Sequence, residues 1–150
     1  MATPRNRPYS QFNFLVSWDD LDAASVQAGF QECSGLGMEI TAAEYRGGNS
    51  NDNVPIKITG MVKTPDVTLK RGVIGSLDLY SWLDEVRNGS QEALKNVTIT
   101  LLSEDRETEA QVWRLIHARP IKYTGPSLNG KGNEVAVEEL VLASERIELA

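Results

Sequence analysis

Residues 95–119, KNVTITLLSEDRETEAQVWRLIHAR, carry the pattern that decides the fold. Val97, Ile99 and Leu101 alternate with Thr98 and Thr100 through 95–103, the period of two that turns one side of a strand to a core and the other to water. The acidic stretch 104–109 turns the chain, and 111–119 pairs back. Residues 121–124 continue that second strand, a Gly-rich turn follows (125–133, GPSLNGKGN), and 134–143 forms the last long strand. In it the apolar set changes parity, Val135 and Val137 first and then Leu140 and Leu142, so a bulge is expected near Glu138 and Glu139.

Toward the N-terminus, Leu79, Trp82, Leu83 and Val86 recur at i, i+3, i+4 and i+7, the one helical stripe in the chain. Ser76 is the expected N-cap, Asn88-Gly89 the expected stop, and Trp82 a core residue by its spacing. Residues 66–73 (DVTLKRGV) read as a short strand with a basic end. Phe12, Phe14, Val16 and Trp18 lie on one side of a strand, and Val26, Ala28 and Phe30 alternate after the acidic turn Asp19, Asp20 and Asp22. These two runs read as an antiparallel hairpin. Residues 33–37 (CSGLG) read as a turn and 38–46 as a third strand whose sides are poorly divided. The stretch 47–65, which opens GGNSNDN, is about as long as structureless loops become, and such loops are functional or ordered by a partner. Residues 1–10 read as an extended arm. The reading is mainly β, seven or so antiparallel strands and one helix in a single domain, 1–150.

Composition narrows the function. At 150 residues with 41% apolar and 24% charged side chains, the chain has material for one core, and disorder throughout is excluded. The net charge of −6 argues against a surface built to neutralise phosphates, so no sequence-specific nucleic-acid binding is expected. One Cys excludes an intrachain disulfide, and Cys33 with His117 is too little for a zinc site. The first ten residues lack the apolar middle of a signal peptide, and synthesis in the cytoplasm is expected.

Fragments that look chemical fail on context. Residues 125–132 read G-x-x-x-x-G-K-G, but Gly132 stands where a phosphate loop needs Ser or Thr, and a strand follows instead of a helix. Asn96-Val97-Thr98 matches a glycosylation sequon inside a strand. Asp19, Asp20 and Asp22 lack the spacing of a calcium loop, and the oxygens of 49–53 belong to a solvated loop. A Cys33–His117 nucleophile pair would need the fold to bring together residues over eighty positions apart. Glu138 and Glu139 are adjacent on a strand and face opposite ways. No catalytic residue, metal ligand or cofactor is expected.

Five segments, in order, resemble one family: 30–36 (FQECSGL), 44–48 (EYRGG), 68–73 (TLKRGV), 113–120 (WRLIHARP) and 122–140 (KYTGPSLNGKGNEVAVEEL). Together they are similar to the tail tube protein of contractile phages and the inner tube protein of phage-tail-like contractile injection systems, over residues 9–143. The ending at 144–149 (SERIEL) departs from the His-Glu-Gly-Leu-like ending of that pattern. The resemblance implies two packed antiparallel β-sheets, a sandwich or barrel, with one flanking α-helix, assembled as a hexameric ring. Rings stack into a hollow tube inside a contractile sheath, whose shortening drives the tube through a target envelope. The implied partners are further copies of the chain, the sheath protein, baseplate, spike and tube-initiator proteins, and a cargo of effector protein or DNA in the lumen.

Within that resemblance, Arg46, Gly47, Gly48, Asn49, Asn53, Val54 and Pro55 are the residues expected to stack on the adjacent ring, with the N-terminal arm and the C-terminal segment assisting. Lys70 and Arg71 are expected to pair with acidic residues across a subunit boundary. Acidic side chains lining the bore would keep DNA or acidic cargo from adhering, and acidity also serves solubility alone. Two other readings stand beside this one: the ring and chaperone protein of type VI secretion, and a stand-alone β-sandwich module binding a small ligand. Phage tail and injection particle are not separated by the sequence.

Overall fold

The computed structural model describes residues 4–18, 29–90 and 93–150. Strands β6 (Lys95–Leu102) and β7 (Glu109–Thr124) form the antiparallel pair that the alternation predicts, with Val97 opposite Leu115 and Ile99 opposite Trp113. Val97, Ile99 and Leu115 are all buried. The register slips between Leu101 and Leu102, which turns Leu102 rather than Leu101 into the core. Asp105 organises the connecting turn, accepting the N–H groups of Glu107 and Thr108, each at 2.9 Å, and the hydroxyls of Ser103 and Thr108. Those bonds, the Ser103 hydroxyl first, hold its carboxyl well below the usual range.

Strand β7 is long because it serves two sets of partners. Its first part lies between β6 and β9 (Arg146–Leu149), and its last part pairs with β8 (Val137–Ala143). The change falls at His117, which takes φ 53°, while its N–H donates to Asn96 Oδ1 at 3.2 Å. A second slip lies at Pro120, which has no N–H to give the ladder. Strand β1 (Phe14–Trp18) joins the far edge of β6, and β5 (Val67–Gly72) and β2 (Glu32–Ser34) extend the sheet beyond β8. The order is β1-β6-β7-β8-β5-β2, with β9 on β7.

The inward side chains of this sheet and helix α1 (Asp78–Arg87) form one apolar cluster. Trp82 sits at its centre, 5.2 Å from the Trp18 ring, and its indole N–H donates to the Ala93 carbonyl at 2.6 Å. The helix stops at Asn88 and Gly89, as the sequence predicts. Its start differs: Leu77 holds the N-cap position with no side-chain cap, while the Ser76 hydroxyl donates to Asp78 Oδ1 at 2.7 Å.

Strand β1 pairs with β6, about eighty positions away, and the expected hairpin partner of β1, with Val26 and Ala28, lies outside the described residues. Three further expectations are corrected. Cys33 lies in β2, opposite Leu69, so only the Gly35 end of 33–37 is turn. There Gly35 takes φ 90°, and a Cβ would fall 2.2 Å from the Asp66 carbonyl oxygen, so only glycine closes this connection. The β5–β8 ladder runs without a slip through Glu138 and Glu139, so no bulge lies there. Glu138 simply takes an inward position in series with Leu140 and Leu142, and Val135 precedes the strand. Finally, 47–65 is not structureless: β3 (Glu39–Tyr45) and β4 (Ile56–Lys63) form a hairpin, leaving only its tip as loop.

Candidate assembly interface

The β3–β4 hairpin is a two-stranded sheet of its own, and every residue of both strands is exposed. Isolated two-stranded ribbons are at best marginally stable in water. This one also displays Ile40, Tyr45, Ile56, Ile58, Met61 and Val62, each more than half exposed. Such a concentration of apolar side chains on an unpaired ribbon makes it a candidate contact surface. The signal was present in the alternation of 56–59 (IKIT), but the preceding Gly and Asn run and the flanking Pro55 and Pro65 masked it.

Arg46 organises the tip. Its guanidinium donates to the carbonyls of Asp52 at 2.7 Å and Ser50 at 3.2 Å. Ser50 N–H donates to the Gly47 carbonyl at 3.0 Å, and Val54 N–H to Asp52 Oδ1 at 3.1 Å. The loop is therefore shaped before it meets anything, which lowers the ordering cost of docking. Gly47 is half-buried; Gly48, Asn49 and Asn53 are exposed at this tip, Val54 is 68% exposed, and Pro55 is half-buried. Seven of the nine expected interface residues are thus brought together in one preformed loop.

Lys70 and Arg71 stand apart from it, on β5, and their pairings are within the chain. Lys70 lies 3.6 Å from Glu32. Arg71 is 1% exposed and cannot reach across a subunit boundary. Its Nε donates to Glu138 Oε1 at 2.7 Å, and its two terminal nitrogens donate to Asp78 at 3.0 and 2.5 Å. Tyr123 donates its hydroxyl to the other Glu138 oxygen at 2.7 Å. Burial alone would raise the Asp78 carboxyl, but the bonds from Arg71 and Ser76 outweigh it and hold it below its ordinary value. The cluster ties β5, β8, β7 and the start of α1 together.

The N-terminal arm is anchored rather than free. Arg5 pairs with Glu104 at 2.7 Å, donates to the Pro8 carbonyl at 3.0 Å and stacks over the Tyr9 ring. That contact holds the Glu104 carboxyl down at about 2. Beneath the arm lies a cleft of about 290 Å³ lined by Phe14, Cys33, Leu36, Ile99, Leu101 and Trp113, with Tyr9 and Gln11 at its side. Its volume falls at the lower limit of small-ligand pockets. Burial, with Glu32 nearby, pushes the Cys33 thiol up to about 12, the opposite of an activated nucleophile. His117 is engaged elsewhere, 2.7 Å from Glu145. The C-terminal segment forms β9, with Ala150 N–H donating to the Val112 carbonyl at 2.9 Å.

Comparison with solved structures places this fold. The chain is similar to one in the sheath-tube complex of the PVC extracellular contractile injection system in its extended state, with 27% identity and a TM-score of 0.84 over 97% of this chain and 93% of that one. It is equally similar to a chain of the tube-terminating cap of the anti-feeding prophage, with 26% identity and a TM-score of 0.84 over 100% and 95%. Hcp1 from Flavobacterium johnsoniae shares the fold at 12% identity and a TM-score of 0.54, over 93% and 95%. A comparison with curated proteins finds no significant match. The sequence model of the T4-like virus tail tube protein gp19 matches residues 10–148, and the chain belongs to that tail tube family.

Proposed function

We propose that this chain is the subunit of hexameric rings that stack into the hollow inner tube of a contractile particle. In this reading the two parts of the large sheet that meet at β7 pack as a sandwich around the core. The β3–β4 hairpin and its tip loop reach the neighbouring copies. Contraction of the surrounding sheath drives the tube through a target envelope, and cargo passes through its lumen. The observation that carries the reading is the exposed apolar ribbon, set apart from a core that is complete without it. A monomer has no use for such a ribbon, whereas a ring closes heterologous contacts of this kind on themselves.

The role is structural, with no catalysis. Similarity to chains of injection-system particles favours an effector protein as cargo over DNA. Sheath and baseplate proteins are the expected partners. The type VI secretion reading has behind it only a distant likeness of fold to a type six secretion system protein, at 14% identity and a TM-score of 0.58. Native mass spectrometry tests the proposal: the purified chain, alone and then with sheath and baseplate components, is expected to give sixfold multiples of its 16.5 kDa mass. A monomer under every one of these conditions refutes it.

A further inference from the structure

The path of the large sheet ends on β1 at one side and on β2 at the other, and among the described residues neither end carries a further strand. Both ends line the same cleft, through Phe14 of β1 and Cys33 of β2, so the sheet curls until its two edges stand across a gap of about 290 Å³. Leu36 and Trp113 extend the apolar wall, and all four of these side chains are only half-buried. Open strand edges above apolar side chains invite unwanted pairing, and folded proteins avoid it by covering them.

Residues 5–13 lie along this seam and are fastened at both ends to the same end of β6. At one end the Leu102 N–H donates to the Asn13 carbonyl at 2.8 Å, which continues the β1–β6 ladder. At the other, just beyond Leu102, the two terminal nitrogens of Arg5 donate to the two oxygens of Glu104 at 2.9 and 2.7 Å. The segment therefore leaves the end of β6 and returns to it, with Tyr9 and Gln11 of its middle against the cleft. It is stiff as well. Pro8 fixes its own φ, and Arg5 both donates to the Pro8 carbonyl at 3.0 Å and stacks 3.6 Å from the centre of the Tyr9 ring. One side chain thus joins the fastening to the residue beside the cleft.

We infer that residues 5–13 are a strap over the open seam of the sheet, hinged at Asn13 and latched by the Arg5–Glu104 pair, and that unlatching bares the cleft and Cys33. The strap is a device of the single chain and goes beyond the tube-subunit reading. Its two fastenings differ in kind. The hinge is a backbone bond within a ladder, whereas the latch is one ion pair between partly exposed side chains, so it is weak, exchangeable and screened by salt. Because Glu104 titrates at about 2, the latch stays charged across the ordinary pH range, and salt rather than mild acid loosens it. A group that takes Glu104 from Arg5 opens the cleft in the same step.

Cys33 is the only cysteine in the chain, so its rate of reaction with an uncharged pyridyl disulfide reads the opening at one place. The full-length chain and its variants are compared in one assembly state, verified by native mass. Glu104→Gln keeps the shape and removes the charge, and it is expected to react about two- to fivefold faster than the native chain, the span of a surface ion pair. The native chain is expected to quicken by a similar factor on going to about 1 M salt, where the screening length is about 3 Å, and Glu104→Gln to show no such response. Glu107→Gln removes the same charge from the same turn without touching the Arg5 pair, and it is expected to match the native chain. Both positions are exposed, so melting temperatures stay the same and general loosening is separated from unlatching. Equal rates in the native chain and Glu104→Gln, an equal acceleration in Glu107→Gln, or a native rate indifferent to salt overturns the strap. None of these results bears on the tube reading, which the native mass of the assembled chain tests separately.

Discussion

Arg71→Met removes the one buried cation among the described residues and leaves its partners in place. Arg71 and Glu138 are 1 and 4% exposed, so the Glu138 carboxylate would remain in the interior with only the Tyr123 hydroxyl to bond. Methionine fills most of the vacated volume, so the cost is electrostatic rather than a cavity. Breaking a buried ion pair by deleting one member costs about 3–5 kcal/mol. That is a large share of the roughly 5–15 kcal/mol that holds a domain folded. For a chain of this size it corresponds to a fall in Tm of roughly 6–20 °C. Urea unfolding followed by tryptophan fluorescence reads it directly, since Trp18 and Trp82 lie in the core. The double variant Arg71→Met with Glu138→Leu is expected to recover only part of the loss, because the Glu138 charge is then gone while the part-buried Asp78 carboxylate still lacks its cation. A single-variant loss under about 1 kcal/mol would mean that the network contributes no more than a surface pair. A double variant as unstable as the single one would mean that shape, not charge, sets the cost.

The same cluster sets an acid limit. Because Asp78 titrates below its ordinary value when folded, its contribution is complete above the unfolded carboxylate pKa and is lost as pH falls beneath it. Asp78→Asn should therefore flatten stability against pH below about 4, as measured by thermal melts across that range. Gly35→Ala forces a Cβ against the Asp66 carbonyl at a positive φ, and a loss of about 1–3 kcal/mol is expected in denaturant titrations. Glu104→Gln releases the Arg5 tether, so trypsin should cut after Arg5 faster than in the native chain, with no change in Tm. The Cys33 thiol, raised by burial, should react with a disulfide reagent at pH 8 only slowly, and at full rate once urea unfolds the chain.

What the sequence made legible was whatever depends on local period. The alternation of Val97 and Ile99, the stripe through Leu79 and Trp82, and the stop at Asn88-Gly89 all stand in the structure as read. Pairing between distant strands was not legible, because β1 carries no local mark of β6 as its partner. The inward Glu138 imitated a bulge, since a parity rule counts a buried carboxylate as outward, and its compensating Arg71 sits 67 positions away. Strand β3 was read as a strand with poorly divided sides and β4 was read as loop, because the ribbon's apolar residues have no core to face: Ile40 and Val62 point one way and Ile56 and Ile58 the other. The residues at 46–55 were expected at an interface because glycine and asparagine gather there, and the structure brings them together in one loop. Arg71 was misplaced because a basic pair at a strand end looks the same whether it is buried or exposed.

Electron microscopy of the purified chain with its sheath and baseplate components tests the tube assignment most directly. Sixfold rings with an open centre, stacked so that the ribbon at 39–63 is buried between copies, are the predicted result. A particle that stays monomeric with both components present, its hairpins still in solvent, would contradict it.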